Sequence, residues 1–246
     1  MRIAVIADVH GNLEALQTVV SDLKESMPDT VVSLGDVVGY GANPQECCDR
    51  VREIVQDNIM GNHDAAAAGV IDTGSFNDEA RQGIEWTKQQ LAASSVSWLQ
   101  NSPYTVEYEG ALFSHGSPVN PEEFDYIMSV RDIEKVFYAF DNRYPVFLVG
   151  HAHRRFVVSK NIHGDEEPII DYSDVIRMDE HRQYIISVGS VGQPRDSDTT
   201  TSYGILDTDK GIYSVKRLPY AIKEASDKIL KAGLPKWLAY RLMIGV

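Results

Sequence analysis

Five short motifs place aspartate, asparagine and histidine side chains directly after apolar, strand-like runs. They are Asp8-Val9-His10, Gly35-Asp36, Gly61-Asn62-His63-Asp64, Ser114-His115-Gly116 and Gly150-His151-Ala152-His153, and they hold five of the seven histidines. Side chains that follow the strands of an open α/β sheet lie at its carboxyl edge, where such folds bind ligands. Carboxylate, imidazole and amide donors together suit Mn, Fe, Zn or Ni, whereas an all-oxygen set would suit Mg or Ca.

The motifs offer more candidate metal ligands than one ion needs. The candidates are Asp8, His10, Asp36, Asn62, His115, His151 and His153. Residues at i and i+2 of a strand share a face, so Asp8 and His10 could bind one ion together, and His151 and His153 have the same spacing. A carboxylate such as that of Asp36 can bridge two ions. Two ions about 3.5–4 Å apart form a common clamp for displacement at phosphorus.

The elements that must position these motifs alternate between strand and helix in the first part of the chain. Apolar patterns predict strands at 3–7, 30–34, 58–60 and 146–149, with helices beginning at 13 and 44 and spanning 76–91 and 131–140. Loops are predicted at 65–69 and 116–130. Later segments predict hairpins and single strands at 104–114, 156–158, 168–170, 184–188 and 203–215, then helices at 220–230 and 235–243.

This order of elements predicts the fold class. We expect an α/β fold, a four-layer α/β/β/α sandwich of two mixed sheets packed face to face with helices outside. One domain is expected over residues 1–246, with C-terminal helices at about 219–246. The last segment is apolar, with Leu234, Trp237, Leu238, Leu242 and Met243. It either packs back on the domain or contacts another subunit, so a homo-oligomer is an open alternative.

The net charge of the chain argues against duplex nucleic acid as a ligand. The chain has 246 residues and a formal net charge of −13. Binding of duplex nucleic acid requires clustered Lys and Arg, so it is not expected. An acidic chain that acts on phosphate needs a strong local positive charge, and bound metal ions are the obvious source.

The sequence also predicts where the protein is located and the redox state of its cysteines. The N-terminus begins a strand at once and lacks the apolar region and cleavage site of a signal peptide. No stretch of about 18 apolar residues predicts a membrane span, so we expect a cytoplasmic protein. Adjacent Cys47 and Cys48 are interpreted as reduced residues on a helix, one of them buried and neither catalytic.

Taken in order, the five motifs resemble the motif set of the calcineurin-like metallophosphoesterases. Further stretches are similar to the small bacterial and archaeal phosphodiesterase branch, namely Phe76-Asn77, Ala80-Arg81, Trp86-Thr87 and the run from Gly189 to Asp196. The resemblance covers about residues 1–217. It implies an enzyme that hydrolyses phosphate esters with two divalent transition-metal ions, Mn being favoured and Fe, Ni or Zn being alternatives.

The resemblance also implies roles for the motif residues. It divides the ligands between two ions that share Asp36, with Asp8, His10 and His153 on the first and Asn62, His115 and His151 on the second. The ions would convert a water into the nucleophile that attacks phosphorus in line. His63 would stabilise the phosphoryl oxygens or protonate the leaving alkoxide. Asp64 would orient His63.

Four residues beside the motifs are candidate substrate contacts: Asn12, Tyr40, Arg154 and Arg195. Arg195 could bind a phosphate bidentately, or it could form a surface salt bridge with Asp196 or Asp198.

The substrate class follows less directly. We expect a small phosphate ester or a nucleotide, because the chain shows neither a basic groove nor an aromatic series suited to single strands. The first hypothesis is a phosphodiesterase, with dinucleoside polyphosphates or cyclic nucleotides among its substrates. The alternative is a phosphomonoesterase, including a protein phosphatase. A scaffold without turnover is disfavoured, because no motif position departs from the family pattern.

Overall fold

The computed structural model describes residues 1–163 and 166–246. Its strands are β1 Arg2–Ile6, β2 Thr30–Ser33, β3 Asp57–Asn58, β4 Thr105–Tyr108, β5 Ala111–Ser114, β6 Val146–Val149, β7 Arg155–Asn161, β8 Ile169–Asp171, β9 Val175–Arg177, β10 Arg182–Val188, β11 Thr201–Asp207 and β12 Ile212–Leu218. Its helices are α1 Leu13–Ser26, α2 Pro44–Ile54, α3 Asn62–Ala67, α4 Asp78–Gln90, α5 Ala93–Gln100, α6 Val130–Phe140, α7 Ile222–Lys231 and α8 Lys236–Tyr240. Single 3-10 turns lie at Pro121–Glu123 and Arg241–Met243.

The strands form two six-stranded mixed sheets. The first has the order β3-β2-β1-β11-β12-β9 and the second the order β4-β5-β6-β10-β7-β8. In the first sheet β1 runs parallel to β2 and antiparallel to β11. In the second β10 runs parallel to β6 and antiparallel to β7. The carboxyl ends of β1, β2, β5 and β6 therefore deliver their loops to one edge of the pair of sheets.

Burial explains why β1 is apolar throughout. Ile3 and Val5 face the second sheet, where they pack with residues such as Phe113. Ala4 and Ile6 face the opposite way, toward the helices on the outside of the first sheet. Another cluster packs α6 on the outer face of the second sheet. The predicted four-layer α/β/β/α sandwich is confirmed.

Several element boundaries differ from the sequence predictions. The predicted loop at 65–69 is mostly helical, because α3 runs through Ala67. The helix predicted from Phe76 begins at Asp78, since the Asn77 side chain accepts a hydrogen bond from the Ala80 amide and caps it. Sequence patterns missed α5 and the short edge strand β9. Both Cys47 and Cys48 are buried and free, rather than one of them.

The C-terminal segment packs back on the rest of the chain. Leu238 and Leu242 lie buried in a cluster with Tyr40 and Ala80. We propose on this basis that residues 1–246 form one domain, as the sequence predicted. Trp237 keeps 46% of its surface exposed, and the question of a homo-oligomer stays open. Within residues 1–163 and 166–246, no helix has the length and apolar character needed to cross a membrane.

Candidate metal centre

The loops that follow β1, β2 and β6 bring a first group of four donors together. Asp8, His10, Asp36 and His153 each offer one ligand atom, and these atoms lie within 4.8 Å of one another. The Nε2 atoms of His10 and His153 are 3.0 Å apart. His10 Nε2 is 3.5 Å from Asp36 Oδ2, and His153 Nε2 is 3.4 Å from Asp8 Oδ1. All four side chains are buried.

A second group shares Asp36 with the first. His115 and His151 complete it with the Asp36 carboxylate. His115 Nε2 lies 3.4 Å from Asp36 Oδ2 and 3.0 Å from His151 Nδ1. Asn62 Oδ1 is 3.2 Å from the same His115 nitrogen. One carboxylate oxygen of Asp36 therefore faces both groups.

The donor atoms fit a cation in each group. Nδ1 of His10, His115 and His153 lies 2.7–3.0 Å from the backbone carbonyls of Val38, Leu34 and Gln193, respectively. A carbonyl can only accept, so each Nδ1 carries a proton, and Nε2 is the ring atom left to bind a metal ion. Burial lowers the pKa of His10 and His153 well below its usual value, which keeps both neutral.

Two lone pairs that face each other at 3.0 Å repel unless a cation lies between them. Two donors bound to one ion at about 2.1 Å are roughly 3.0 Å apart at a right angle and 3.4 Å apart at the tetrahedral angle. The shortest separations in both groups, 3.0 and 3.4 Å, match these values. The residues therefore fit one divalent ion in each group.

Backbone geometry, rather than strand alternation, makes these side chains converge. The candidate ligands Asp8, His10, Asp36, His151 and His153 all have positive φ, between 49° and 64°. Side chains with a Cβ rarely adopt this left-handed region, and such residues cluster at functional sites. His151 and His153 lie in different groups despite their i and i+2 spacing, which is the division that the family resemblance implies.

Gly61 serves close packing rather than an unusual backbone conformation. Its φ of −92° is open to any residue. A Cβ at this position would lie 2.1 Å from Asp36 Oδ1. That same oxygen accepts a hydrogen bond from the His63 amide at 2.8 Å. Only a glycine lets the Asp36 carboxylate approach the N-terminus of α3 this closely.

Electrostatics in the site are strongly perturbed. Burial raises the pKa of Asp8 to about 7. Burial alone would raise the pKa of Asp36 too, but the facing His115 and His63 hold it well below its usual range. Burial would lower the pKa of His115, yet the Asp36 carboxylate raises it to about 9. Protons and metal ions compete for buried carboxylate and imidazole side chains such as these.

His63 lies beside the ligands without belonging to either group. Its ring centroid is 4.8 Å from that of His10 and 4.4 Å from that of Tyr40. Its buried Nδ1 has no hydrogen-bond partner among the described residues. Burial lowers the pKa of His63 to about 4. A neutral, unpartnered imidazole at this place can donate to, or exchange a proton with, a bound substrate.

The expectation that Asp64 orients His63 is not borne out by the geometry. Asp64 Oδ1 instead accepts a hydrogen bond from the Val38 amide at 3.1 Å. Successive residues of a helix project in different directions, so Asp64 and His63 of α3 do not face each other. Asp64 thereby holds the loop that carries Tyr40 and Asp36.

The four candidate substrate residues differ in whether their polar groups are free to contact a substrate. Asn12 is only 4% exposed and has structural partners, since it caps α1 through Ala15 and donates to the Gly192 carbonyl at 2.8 Å. It has no free polar group for a substrate. Tyr40 packs on His10 and His63, and its ring lies 5.8 Å below the Arg195 guanidinium.

The salt-bridge alternative for Arg195 is wrong. Asp196 and Asp198 pair with Arg217 instead. Arg195 donates to the neutral side-chain oxygen of Gln193 at 2.7 Å.

Two clefts flank the candidate metal centre. The first, called here the arginine cleft, has a volume of about 640 Å³. It is lined by Ile127, Met128, Ile133, Ala152, Arg154, Arg155, Phe156, Val158, Ile170, Tyr172, Arg195, Asp196, Ser197, Asp198 and Arg217. Ala152 lies between His151 and His153 in the β6–β7 loop, so this cleft adjoins the loop that carries one candidate ligand of each group.

The second cleft, called here the acidic cleft, has a volume of about 500 Å³. It is lined by Tyr40, Asn62, His63, Ile71, Asp72, Ser75, Phe76, Asn77, Ala80, Glu122, Glu123, Phe124, Tyr126 and His151. It therefore begins at the second ligand group and at His63.

Sequence reasoning missed two residues near the centre. The Tyr126 ring stacks on His151 with centroids 3.7 Å apart, from a loop that offered no motif. Arg241 comes from the C-terminal segment, and its pKa falls to about 10 through burial and the nearby Arg195. Neither carried a spacing signal, because both reach the site only through tertiary packing.

Comparison with known proteins agrees with this geometry. A family model described as the calcineurin-like phosphoesterase superfamily domain matches residues 1–211. An uncharacterised protein of Methanocaldococcus jannaschii is 37% identical over 247 residues, covering 99% of this chain and 98% of that protein.

Solved structures add to the comparison. The crystal structure of a metallophosphoesterase from Sphaerobacter thermophilus has a TM-score of 0.85 at 36% identity, covering 100% of this chain and 99% of that chain. A hypothetical protein of Pyrococcus horikoshii OT3 has a TM-score of 0.79 at 20% identity, covering 100% of this chain and 98% of that chain. The matched family, a group of divalent-metal-dependent phosphoester hydrolases, spans every candidate ligand. The chain belongs to the calcineurin-like phosphoesterase superfamily.

Proposed function

We propose that this protein is a dinuclear metal-dependent phosphodiesterase that acts on small or nucleotide substrates. The observation that carries the proposal is the pair of donor groups that share Asp36. Two divalent transition-metal ions, when bound there, would supply Lewis acidity and an activated water for in-line attack at phosphorus. The mixed nitrogen and oxygen donors favour Mn, with Fe, Ni or Zn as alternatives.

The remaining side chains supply positioning and proton transfer. His63, outside both donor groups and with a free Nδ1, stabilises a phosphoryl oxygen or protonates the leaving alkoxide. Asp64 holds the Val38 amide and so fixes the loop beneath Tyr40. The Arg195 guanidinium, above the Tyr40 ring, binds a phosphoryl oxygen.

The two clefts support a diester rather than a monoester. A phosphate diester carries two organic substituents, and both must leave the metal centre in different directions. The acidic cleft begins at Asn62 and His151, and the arginine cleft adjoins the β6–β7 loop at Ala152, so each offers room for one substituent. A monoester would occupy only one of them.

The first test is metal reconstitution. The protein would be stripped of metal and reloaded separately with Mn, Ni, Fe, Zn or Mg. Each sample would be assayed with bis(4-nitrophenyl) phosphate and with 4-nitrophenyl phosphate. We expect a transition metal to restore turnover, with the diester preferred. Preference for the monoester would replace the proposal with a phosphatase, and no turnover with any ion would indicate a scaffold without catalysis.

A second test addresses His63. We expect His63→Ala to retain two ions per chain while kcat falls by about 100-fold or more, because proton transfer is lost and the ligands stay. Metal content would be measured by mass spectrometry beside the kinetics. His181→Ala is the matched control, since His181 is exposed far from the site. Full turnover in His63→Ala would reject the role assigned to His63.

A further inference from the structure

The arginine cleft carries a local positive charge in an otherwise acidic protein. Four arginines and two aspartates line it, although the net charge of the chain is −13. The acidic cleft, on the other side of the centre, is lined by Asp72, Glu122 and Glu123 and by no lysine or arginine. An anionic part of a substrate is therefore attracted to one cleft and repelled by the other.

Two of the four arginines are already neutralised by the protein. Arg155 pairs with Asp174 at 3.0 Å and donates to the Ser173 carbonyl. Arg217 pairs with both aspartates of the cleft. These two arginines hold the cleft wall together and have little charge left for a ligand.

Arg154 and Arg195 are the arginines available to a ligand. Within the described part of the chain, neither forms an ion pair with a carboxylate. Arg195 is bound to the His153 carbonyl through its amide, and Arg154 follows His153 directly. The backbones of both arginines thus adjoin the loop that supplies His153, a candidate ligand of the first donor group. One of them can serve the phosphate that is attacked, which leaves the other for a second anion.

The outer part of the same cleft is apolar. Met128, Ile170 and Tyr172 line it and are 63%, 48% and 66% exposed. Ile170 and Tyr172 belong to the β8 region at the edge of the second sheet, two strands away from β10. Exposed apolar side chains beside a charged site are a common platform for a flat organic group.

We propose that the arginine cleft binds a substrate arm in which a second phosphate, held by Arg154, separates the attacked phosphate from a flat apolar group such as a nucleoside. This inference rests on the proposed function and names its substrate class as diesters of nucleoside diphosphates. Water oxygen forms a bond to the terminal phosphorus, and the bond from that phosphorus to the alkoxide or phenoxide breaks. The leaving oxygen keeps the electron pair, the protons of water pass to solvent, and the nucleoside diphosphate is released.

The test uses two substrates that differ by one phosphate. They are the 4-nitrophenyl esters of adenosine monophosphate and of adenosine diphosphate, assayed with the metal-loaded protein. We expect kcat/KM to be roughly tenfold higher for the diphosphate ester, as one charged hydrogen-bond pair would give. Arg154→Gln should remove this preference, and Arg154→Lys should restore part of it. Arg177→Gln is the matched control, because Arg177 is exposed on the edge strand β9 and lines neither cleft.

A binding measurement separates this inference from the proposed function. Calorimetry would compare binding of adenosine diphosphate and adenosine monophosphate to wild type, Arg154→Gln and Arg177→Gln. Tighter binding of the diphosphate that depends on Arg154 supports the inference, even if neither ester is hydrolysed and the proposed function fails. Equal rates for the two esters, or a preference that survives in Arg154→Gln, would overturn the inference while leaving a phosphodiesterase in place.

Discussion

The two clefts beside the candidate metal centre differ in charge more than in size. The arginine cleft has a volume of about 640 Å³ and an excess of arginine over aspartate. The acidic cleft has a volume of about 500 Å³, three acidic side chains and four aromatic rings besides histidine. The acidic cleft is lined by Asn62 and His151 of the second donor group, and the arginine cleft reaches Ala152, between His151 and His153.

The difference in charge between the clefts gives a nearly symmetric metal centre a way to bind an asymmetric substrate in one orientation. Each donor group contributes histidine nitrogens and the same carboxylate, so the donors alone do not decide which substituent of a diester leaves. The clefts do, because charge complementarity selects orientation more than raw affinity. In the proposed diester reaction, an anionic arm would enter the arginine cleft and a neutral aromatic arm would enter the acidic cleft, beside His63 and His151.

The largest expected effect comes from substitution of Asp36, which belongs to both donor groups. Asp36→Asn keeps the size of the side chain and an oxygen for the His63 amide, but it removes the charge between the donor groups. We expect the protein to lose at least one ion, and kcat/KM to fall roughly a thousandfold with every substrate, whichever cleft that substrate needs. Metal analysis and kinetics would be compared with Asp227→Asn, an exposed aspartate on α7. Retention of both ions with normal turnover would contradict the shared-ligand interpretation.

The next prediction compares substitutions of Arg195 and Arg154, the two arginines available to a ligand. Arg195 lies above Tyr40, close to His10 and His63, so Arg195→Gln should lower kcat/KM by about tenfold to a hundredfold for both adenosine esters. Arg154→Gln should instead change the ratio between the two esters. Rates for both esters in both variants would be measured at constant ionic strength. Identical profiles for the two variants would mean that the cleft does not separate its phosphates in this way.

A smaller effect concerns the aromatic side. Tyr126 stacks on His151, so Tyr126→Leu should weaken the second ion and raise KM for aromatic esters by roughly threefold to tenfold. Tyr126→Phe keeps the stacked ring and should stay close to wild type in both properties. Chelator competition would report ion affinity, and kinetics would report KM. Equal losses in the leucine and phenylalanine variants would assign the effect to the hydroxyl group instead of the stack.

The smallest effect tests the charge of the acidic cleft. The double variant Glu122→Gln/Glu123→Gln neutralises two exposed side chains that line this cleft. Exposed charges are screened, so we expect only about a twofold to threefold fall in KM for anionic substrates at low salt, and no difference at about 0.5 M salt. A salt series on both proteins would show this. A difference that persists at high salt would indicate direct contact rather than long-range repulsion.

Local sequence patterns were sufficient to predict which donor residues come together and where most strands and helices lie. Most donors follow an apolar run that is a strand in the structure, such as β1 before Asp8 or β6 before His151, whereas the apolar Ile59 and Met60 before Asn62 lie outside β3. The hairpin predicted around residues 209–211 pairs Asp207 with Ile212. The two-residue strand β3 and the edge strand β9 were poorly predicted or missed, because so few residues give no periodic signal.

Local patterns failed where a side chain finds its partner far along the chain. Asn12 was interpreted as a substrate contact, but its amide donates to the carbonyl of Gly192, 180 residues away. Asp64 was paired with its neighbour His63, whereas it binds the amide of Val38. In both cases the alternative partner comes from another loop, and no spacing in the sequence reports it.

The sequence by itself determined which donors this protein has, their order along the chain and the edge of the sheets at which they lie. Strand periodicity and the carboxyl-edge rule are local, so they can be derived from neighbouring residues. The tertiary structure places His153 beside Asp8 and His151 beside His115, the division that the family resemblance implied and that local spacing left open. It also decided the opposite charges of the two clefts. These depend on left-handed turns at the donors and on loops from distant strands, whose contacts form only when the two sheets pack together.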